Sequence, residues 1–176
     1  ITPEQFLSEY WQKRPLLIKQ GLPQLIDMFE PDDMLGLAIE EDAAARLLTQ
    51  AATKQDGLAQ WQLKKSPLTE SDFDNLPEQW TVLVQNLEQW SPELGQLWQA
   101  FDFISQWQRD DIMVSYAPKG GSVGKHYDDY DVFLAQGYGQ RRWQLGKFCD
   151  KNTEFVADEP IRLFDDMGEI IFDEIL

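Results

Sequence analysis

Residues Ile112 to Gly146 combine a β-strand pattern with the only histidine of the chain, His126, and an acid two positions later, Asp128. Alternate side chains of a strand point to the same face, so this pair could present an imidazole nitrogen and a carboxylate oxygen to one point. Two such ligands facing one point are the beginning of a site for a divalent metal. Because 31 of the 176 residues are Asp or Glu, the spacing alone also fits a histidine that lies near an acid by chance.

Glycines precede this pair and further acids flank it. Gly120, Gly121 and Gly124 form a glycine-rich approach to the histidine. Asp129 and Asp131 are interpreted as solvated acids, or as acids that contact the ligands from behind.

A second charged position lies on a predicted strand that follows a Gly-Tyr-Gly turn. Arg141 shares one face of this strand with Trp143 and Leu145. Arg142 and Gln144 lie on the opposite face. An arginine on an apolar face is costly unless an anion meets it. That anion could be an acid of the protein or the carboxylate of a ligand.

Helical signals dominate the first part of the chain and strand signals the last part. Thr2 is predicted to cap a helix that begins at Pro3, ends before Pro15 and buries Phe6, Leu7, Tyr10 and Trp11. The other predicted helices are Pro31 to Glu40, Ser71 to Phe73 and a helix that Ser91 caps, with an apolar stripe from Leu94 to Phe101. Asp42 to Ala52 is predicted to be a helix, or a helix that continues into a strand. The predicted strands are Leu16 to Ile18, Trp61 to Leu63, Trp80 to Asn86, Ile112 to Ala117, Val132 to Gln136, Ile161 to Phe164 and Ile170 to Phe172, with a turn at Lys54 to Gly57. Helices followed by antiparallel-looking strands predict an α+β chain that ends in a sandwich or barrel.

Charge and composition limit the partners and the compartment. The net charge of −16 disfavours direct binding of nucleic acid and favours encounter with basic partners, although it also serves solubility alone. The single cysteine, Cys149, excludes an internal disulfide framework and fits a reducing compartment. No apolar run approaches the ~20 residues of a membrane span, so the cytoplasm is the expected location.

Longer segments resemble one known family. Phe6 to Gly21, FLSEYWQKRPLLIKQG, is similar to the aromatic-x-x-x-x-W-x-K-R-P segment that opens the bacterial JmjC-type ribosomal oxygenases. Tyr130 to Gly137 and the Arg-Arg-Trp run follow the His-x-Asp as they do in that family. The resemblance covers most of the chain, and these segments together are specific. The family consists of iron(II)- and 2-oxoglutarate-dependent hydroxylases with a double-stranded β-helix core.

The resemblance implies one JmjC or cupin-like domain over residues 1–176. Residues 1–110 would be mainly helical with a few strands, and residues 111–176 would form the first part of a β-helix jelly roll that is incomplete at its C-terminus. The chain lacks an initiator methionine and stops at Leu176 within a strand-like run, so we expect a fragment.

The resemblance also implies a ligand set. His126 and Asp128 match the first two Fe(II) ligands of the family, and the third, a later histidine, is expected beyond Leu176 because the chain has no other histidine. Arg141 matches the residue that binds the distal carboxylate of 2-oxoglutarate, and Ser115 matches a hydroxyl that helps to hold the same cosubstrate. Ser115 is equally well interpreted as a small residue where strands crowd.

The implied reaction is hydroxylation of an arginine in a large-subunit ribosomal protein, a basic substrate, although a histidine substrate stays open. The full-length protein is expected to be a homodimer, and the fragment alone is expected to be inactive. Two alternatives stay open: a cupin-type metalloenzyme that does not use 2-oxoglutarate, and a cupin-fold binding module without turnover.

Overall fold

A computed structural model describes residues 1–26, 28–53 and 59–176 of the chain. The α-helices are α1 (Pro3–Glu9), α2 (Pro31–Ala38) and α3 (Pro92–Gly95), and short 3-10 helices lie at Pro23–Leu25, Glu70–Phe73, Leu87–Gln89, Gln96–Phe101 and Gln106–Gln108. The strands are β1 (Ala45–Thr53), β2 (Ala59–Lys65), β3 (Trp80–Val84), β4 (Val114–Tyr116), β5 (Arg142–Leu145) and β6 (Phe172–Ile175). The predicted turn at Lys54 to Gly57 lies outside the described residues.

Two predicted helix starts are confirmed by their caps. The Gln5 backbone N–H donates to Thr2 Oγ1 at 3.2 Å, and the Thr2 N–H donates to Gln5 Oε1 at 3.1 Å, so α1 begins with a capping box. The Leu94 N–H donates to Ser91 Oγ at 3.3 Å at the start of α3. Each cap satisfies backbone donors that would otherwise lack a partner at a helix start.

The strands form two antiparallel sheets. The larger sheet has the order β2-β1-β3-β4, and the smaller sheet pairs β5 with β6. Three strands of the larger sheet come from residues 1–110, so this part of the chain supplies most of the sheet as well as the helices.

One face of the larger sheet, here called the helical face, packs against α2, α3 and the short helices. Ala45 pairs with Val84 and Leu47 with Val82 across β1 and β3, and all four side chains are buried. Directly opposed residues of an antiparallel pair point to the same face. This face therefore holds the main apolar core, to which helix residues such as Met34, Ala38, Leu87 and Leu94 contribute.

The other face, here called the loop face, lies under the loop that carries the histidine. Arg46 pairs with Leu83, and Leu83 pairs with Ser115, so these three residues form one row across the sheet. Leu48 and Thr81 form the next row and are almost fully buried. Their burial requires a cover, which the segment around Ser122 provides.

Several predicted elements differ in the structure. Asp42 to Ala52 contains a strand, β1, instead of a helix, because β2 and β3 pair with it on both sides. Leu16 to Ile18 forms no strand and Ile18 is 52% exposed, so the prediction of a buried strand is wrong. Leu7 on α1 is 37% exposed, whereas Phe6 and Trp11 are half-buried.

The predicted strands late in the chain are shorter or missing. Val132 to Gln136 and Ile161 to Phe164 form no strand within the described residues. The last strand begins at Phe172, not at Ile170. A strand forms only where a neighbouring strand satisfies its backbone groups, which an apolar run does not guarantee.

The mixed helix and sheet architecture agrees with the predicted α+β class. Within the part of the chain that the structure describes, no helix has the length and apolar character needed to cross a bilayer.

Candidate metal and cosubstrate site

A glycine allows the histidine loop to lie directly on the larger sheet. A Cβ atom at Gly121 would lie 2.2 Å from the Trp80 carbonyl oxygen, so no larger residue fits there without movement. The Thr81 hydroxyl donates to the Ser122 carbonyl at 3.0 Å and fixes the loop on β3. The predicted glycine-rich approach therefore has a physical reason: the backbone of the loop packs against the backbone of a strand.

Gly124 brings the chain to His126. Its φ of +77° is a conformation that side chains rarely adopt, and a Cβ atom there would meet Leu163 Cδ2 at 2.5 Å and Trp61 Cζ2 at 3.1 Å. The Phe164 N–H donates to the Lys125 carbonyl at 3.1 Å, which anchors the residue before the histidine.

His126 and Asp128 face each other, as predicted, but they do not lie on a strand. His126 Nε2 and Asp128 Oδ2 lie 4.0 Å apart, and their side chains are 36% and 42% exposed. His126 Nδ1 lies 3.0 Å from the Gly124 carbonyl oxygen. A carbonyl can only accept, so Nδ1 carries the proton and the lone pair of a neutral ring is on Nε2. The ring therefore directs its acceptor nitrogen towards a carboxylate.

Two acceptors that face each other repel unless a cation lies between them or the imidazole is protonated. Adjacent ligands of one octahedral ion lie about 3 Å apart, so a small rotation of the exposed carboxylate would bring both atoms onto one metal. Histidine ligands usually donate their other N–H to a carbonyl or a carboxylate, as His126 does here. The pair fits a divalent metal, although within residues 1–26, 28–53 and 59–176 no group of three or more metal-binding side chains gathers.

Arg141 and Ser115 come together from the two sheets. Arg141 precedes β5, where its N–H donates to the Leu176 carbonyl at 2.9 Å and its carbonyl accepts from the Leu176 N–H at 3.0 Å. Its Nη1 donates to Ser115 Oγ at 3.1 Å on β4, and its guanidinium carbon lies 5.7 Å from the centroid of the Trp143 ring. Burial lowers the pKa of Arg141, which marks a charge removed from water.

The alternation predicted around Arg141 is confirmed. Arg141, Trp143 and Leu145 are half-buried, whereas Arg142 and Gln144 are exposed. Arg142 Nε donates to Asp173 Oδ1 at 2.6 Å, and Gln144 Nε2 donates to Asp173 Oδ2 at 3.0 Å. Arg142 has an acid of the protein as its partner, while the contacts found for Arg141 among the described residues are a hydroxyl and an aromatic ring.

The acids that flank the pair have partners of their own. Arg162 Nη1 donates to Asp129 Oδ2 at 2.6 Å, and Gln12 Nε2 donates to Asp131 Oδ2 at 3.0 Å. The negative charge of Asp128 raises the pKa of Tyr130, with burial as a smaller cause. The sequence analysis missed Arg162, because nothing in the sequence connects it with an acid 33 positions earlier.

The chain is similar to known proteins. Residues 96–176 match the model of the JmjC domain. The chain is 63% identical to a protein of Haemophilus influenzae named probable ribosomal oxygenase, over all of this chain and 42% of the relative. It is 38% identical to the ribosomal protein uL16 3-hydroxylase of Escherichia coli, over 97% of this chain and 43% of the relative.

A solved structure of YcfD, a ribosomal oxygenase from Escherichia coli in complex with cobalt and 2-oxoglutarate, has a TM-score of 0.79 and 36% identity, over all of this chain and 43% of that one. The chain spans about two fifths of the length of the curated relatives it matches. The resemblance inferred from segments such as Phe6 to Gly21 is confirmed. The chain is similar over its whole length to proteins named as ribosomal oxygenases, and its residues 96–176 match the model of the JmjC domain.

Proposed function

We propose that the protein containing this chain is an Fe(II)- and 2-oxoglutarate-dependent hydroxylase that acts on an arginine of a large-subunit ribosomal protein. The relatives named ribosomal oxygenase and ribosomal protein uL16 3-hydroxylase support the reaction class and the kind of substrate. The structure of a relative with cobalt and 2-oxoglutarate supports a metal and this cosubstrate.

The burial of Arg141 and its contacts are the observation that supports this proposal. Its guanidinium is half-buried beside Trp143 and Ser115, and burial lowers its pKa. A guanidinium offers two parallel N–H donors that match a carboxylate, and its burial is favourable only when an anion meets it. The distal carboxylate of 2-oxoglutarate fits this requirement, with the Ser115 hydroxyl as a further polar contact.

His126 and Asp128 would hold the metal. The hydrogen bond from His126 Nδ1 to the Gly124 carbonyl keeps Nε2 available as a ligand and fixes the orientation of the ring. When bound, Fe(II) would supply the redox chemistry by which O₂, 2-oxoglutarate and a C–H bond of the substrate side chain give succinate, CO₂ and the hydroxylated side chain. We propose that a histidine in the part of the whole protein that this chain does not span is the third ligand, which completes the two-histidine, one-carboxylate set.

The finer features of the fold belong to the same proposal. The JmjC match and the likeness to YcfD support a double-stranded β-helix in the whole protein, to which both sheets would contribute. Residues 1–176 would form one domain with its helical part before residue 111. The homodimer predicted from the family resemblance stays a prediction.

The charge of the chain supports a basic protein substrate. A net charge of −16 attracts lysine- and arginine-rich ribosomal proteins and repels nucleic acid. A substrate of this class is consistent with the predicted cytoplasmic location.

Isothermal titration of the whole protein with 2-oxoglutarate, with and without Mn²⁺ as an inert metal, tests the proposal. Arg141→Ala should raise the dissociation constant of 2-oxoglutarate by an amount equivalent to about 2–4 kcal/mol, as expected when one partner of a buried charge pair is lost. Arg142→Ala is the matched control, because Arg142 is exposed and pairs with Asp173 on the opposite face.

Equal binding by the two variants would contradict the role of Arg141. Binding of Mn²⁺ without 2-oxoglutarate would favour a cupin-type metalloenzyme that uses another substrate. Binding of neither would favour a cupin-fold module without turnover.

A further inference from the structure

Five aromatic rings bring together three segments of the chain that are far apart in sequence. Phe6 and Trp11 come from α1 and the turn after it, Phe101 and Phe103 come from the end of a 3-10 helix and the residues after it, and Phe133 follows Asp128 by five positions. We call this set the aromatic cluster.

Phe133 lies at the centre of the aromatic cluster. Its ring centroid lies 4.7 Å from that of Phe101 and 5.7 Å from that of Phe6. Its ring stacks on Trp11 at 5.8 Å with an interplanar angle of 14°, and it meets Phe103 edge-on at 6.4 Å. Offset stacking and edge-to-face contacts at these distances are the favoured geometries of aromatic pairs.

The segment that contains Phe133 is held by side chains. Within the described residues, no backbone-to-backbone hydrogen bond involves residues 126–140, and none of these residues belongs to a helix or strand. The pair of Asp129 with Arg162 is more than half exposed, and the hydrogen bond from Gln12 to Asp131 is exposed as well. Exposed polar pairs contribute little to holding a chain in place. Tyr127 stacks on Phe155 at the start of this segment, and the aromatic cluster holds its later part through Phe133, which is 45% exposed.

The two sides of the His-x-Asp pair are fixed differently. On the N-terminal side, the Lys125 carbonyl is bound by the Phe164 N–H, and His126 Nδ1 donates to the Gly124 carbonyl. On the C-terminal side, the nearest apolar anchor is Phe133, and each residue between it and Asp128 spans at most about 3.5 Å. Asp128 therefore lies between two aromatic contacts: Tyr127 before it, whose ring stacks on Phe155 at 5.5 Å, and Phe133 after it. Its position relative to His126 depends on both.

We propose that Phe133 is a positioning residue of the metal site, and that Phe6 and Trp11 of the N-terminal segment hold it in place. The inference rests on the proposed function, since it assumes that Asp128 is a metal ligand. It assigns the N-terminal helix a part in the site although α1 contributes no ligand.

The test uses the single histidine of the untagged 176-residue chain as a probe. Mn²⁺ bound at His126 broadens the imidazole proton resonances of that one residue, so the Mn²⁺ concentration at half-broadening reports binding at this place. Asp128→Asn removes a ligand and sets the scale. Phe133→Leu should need about tenfold more Mn²⁺ than the unchanged chain, as expected when a group that orients a ligand is lost.

Three further variants separate positioning from packing. Phe133→Tyr keeps the ring and should bind Mn²⁺ like the unchanged chain. Phe148→Leu is the matched control, because the Phe148 side chain is 83% exposed. Trp11→Leu leaves the sequence around the ligands intact and should weaken binding, and it decides the question if Phe133→Leu does not fold by circular dichroism.

Weaker binding by Phe133→Leu and Trp11→Leu, with Phe133→Tyr and Phe148→Leu unaffected, supports the proposal. A purely structural role of Phe133 would lower the melting temperature and leave Mn²⁺ binding in the cold unchanged, which would overturn it. If Asp128→Asn binds Mn²⁺ like the unchanged chain, Asp128 is not a ligand; the proposed metal site then fails, and this inference fails with it.

Discussion

Arg141 and Arg142 are neighbours in sequence, but their guanidinium groups have opposite surroundings. Arg142 is exposed and bonds Asp173, whereas Arg141 is half-buried and reaches Ser115 on the other sheet. The strand period of two predicts this difference from the sequence, because it depends only on local geometry. The identity of Asp173 as the partner could not be predicted, since the pairing of β5 with β6 depends on the fold.

Replacement of Gly121 should displace the loop that carries His126. Gly121→Ala places a Cβ atom 2.2 Å from the Trp80 carbonyl oxygen, so the loop or the strand must move. We expect a loss of about 1–3 kcal/mol in the free energy of unfolding, measured by urea denaturation. Gly36→Ala on α2 is the control: a Cβ atom there meets nothing within 4 Å, and the change should gain up to about 1 kcal/mol. Equal stability of the two variants would argue against the close approach.

At the scale of elements, the predicted strands that form are those with a partner strand beside them within the described residues. The predicted strand Trp80 to Asn86 is an apolar, β-branched run, and its first five residues form β3 between β1 and β4. Val132 to Gln136 has an equally apolar pattern and forms no strand there. Local sequence reports the tendency of a segment to be extended, but not whether a partner strand lies beside it.

The pairing of β5 with β6 should depend on pH through Asp173. Hydrogen bonds from Arg142 lower the pKa of Asp173 below its ordinary value of 3.8. A carboxylate with a lowered pKa in the folded state stabilises the fold above its unfolded pKa, and this stabilisation is lost as the pH falls through the folded value. Asp173→Asn should therefore be less stable than the unchanged chain at about pH 6, and the difference should shrink below pH 3.8.

Chemical denaturation of both proteins at a series of pH values measures this difference. Glu174→Gln, on the opposite face of the same strand, is the matched control. A difference between Asp173→Asn and the unchanged chain that stays constant down to the acid limit would contradict the ion pair as its source.

For the whole molecule, the mixed architecture agrees with what the family resemblance implies, and the fold brings together Arg141 and Ser115, whose roles stay a prediction. The aromatic cluster was not predicted as a unit. Phe6, Phe101 and Phe133 are far apart in sequence, so only the fold brings their rings together. Phe6 and Trp11 were predicted to be core residues, and instead they are half-buried against Phe133.

The 176-residue chain by itself should not be a competent oxygenase. His126 and Asp128 give a metal two protein ligands, and losing the third ligand removes both affinity and geometry. Succinate formation from 2-oxoglutarate should be absent for the chain alone and present for the whole protein. Asp128→Ala in the whole protein should abolish it as well. Turnover by the chain at the rate of the whole protein would show that the two-ligand argument is wrong.

Substitutions on the two faces of the larger sheet should have different effects. Val82 and Val84 point into the helical face, while Leu83 between them points to the loop face. Substitutions at Val82 and Val84 should therefore disturb the apolar core, whereas a substitution at Leu83 should change the surface under the histidine loop beside Ser115 and leave the core of the helical face unchanged.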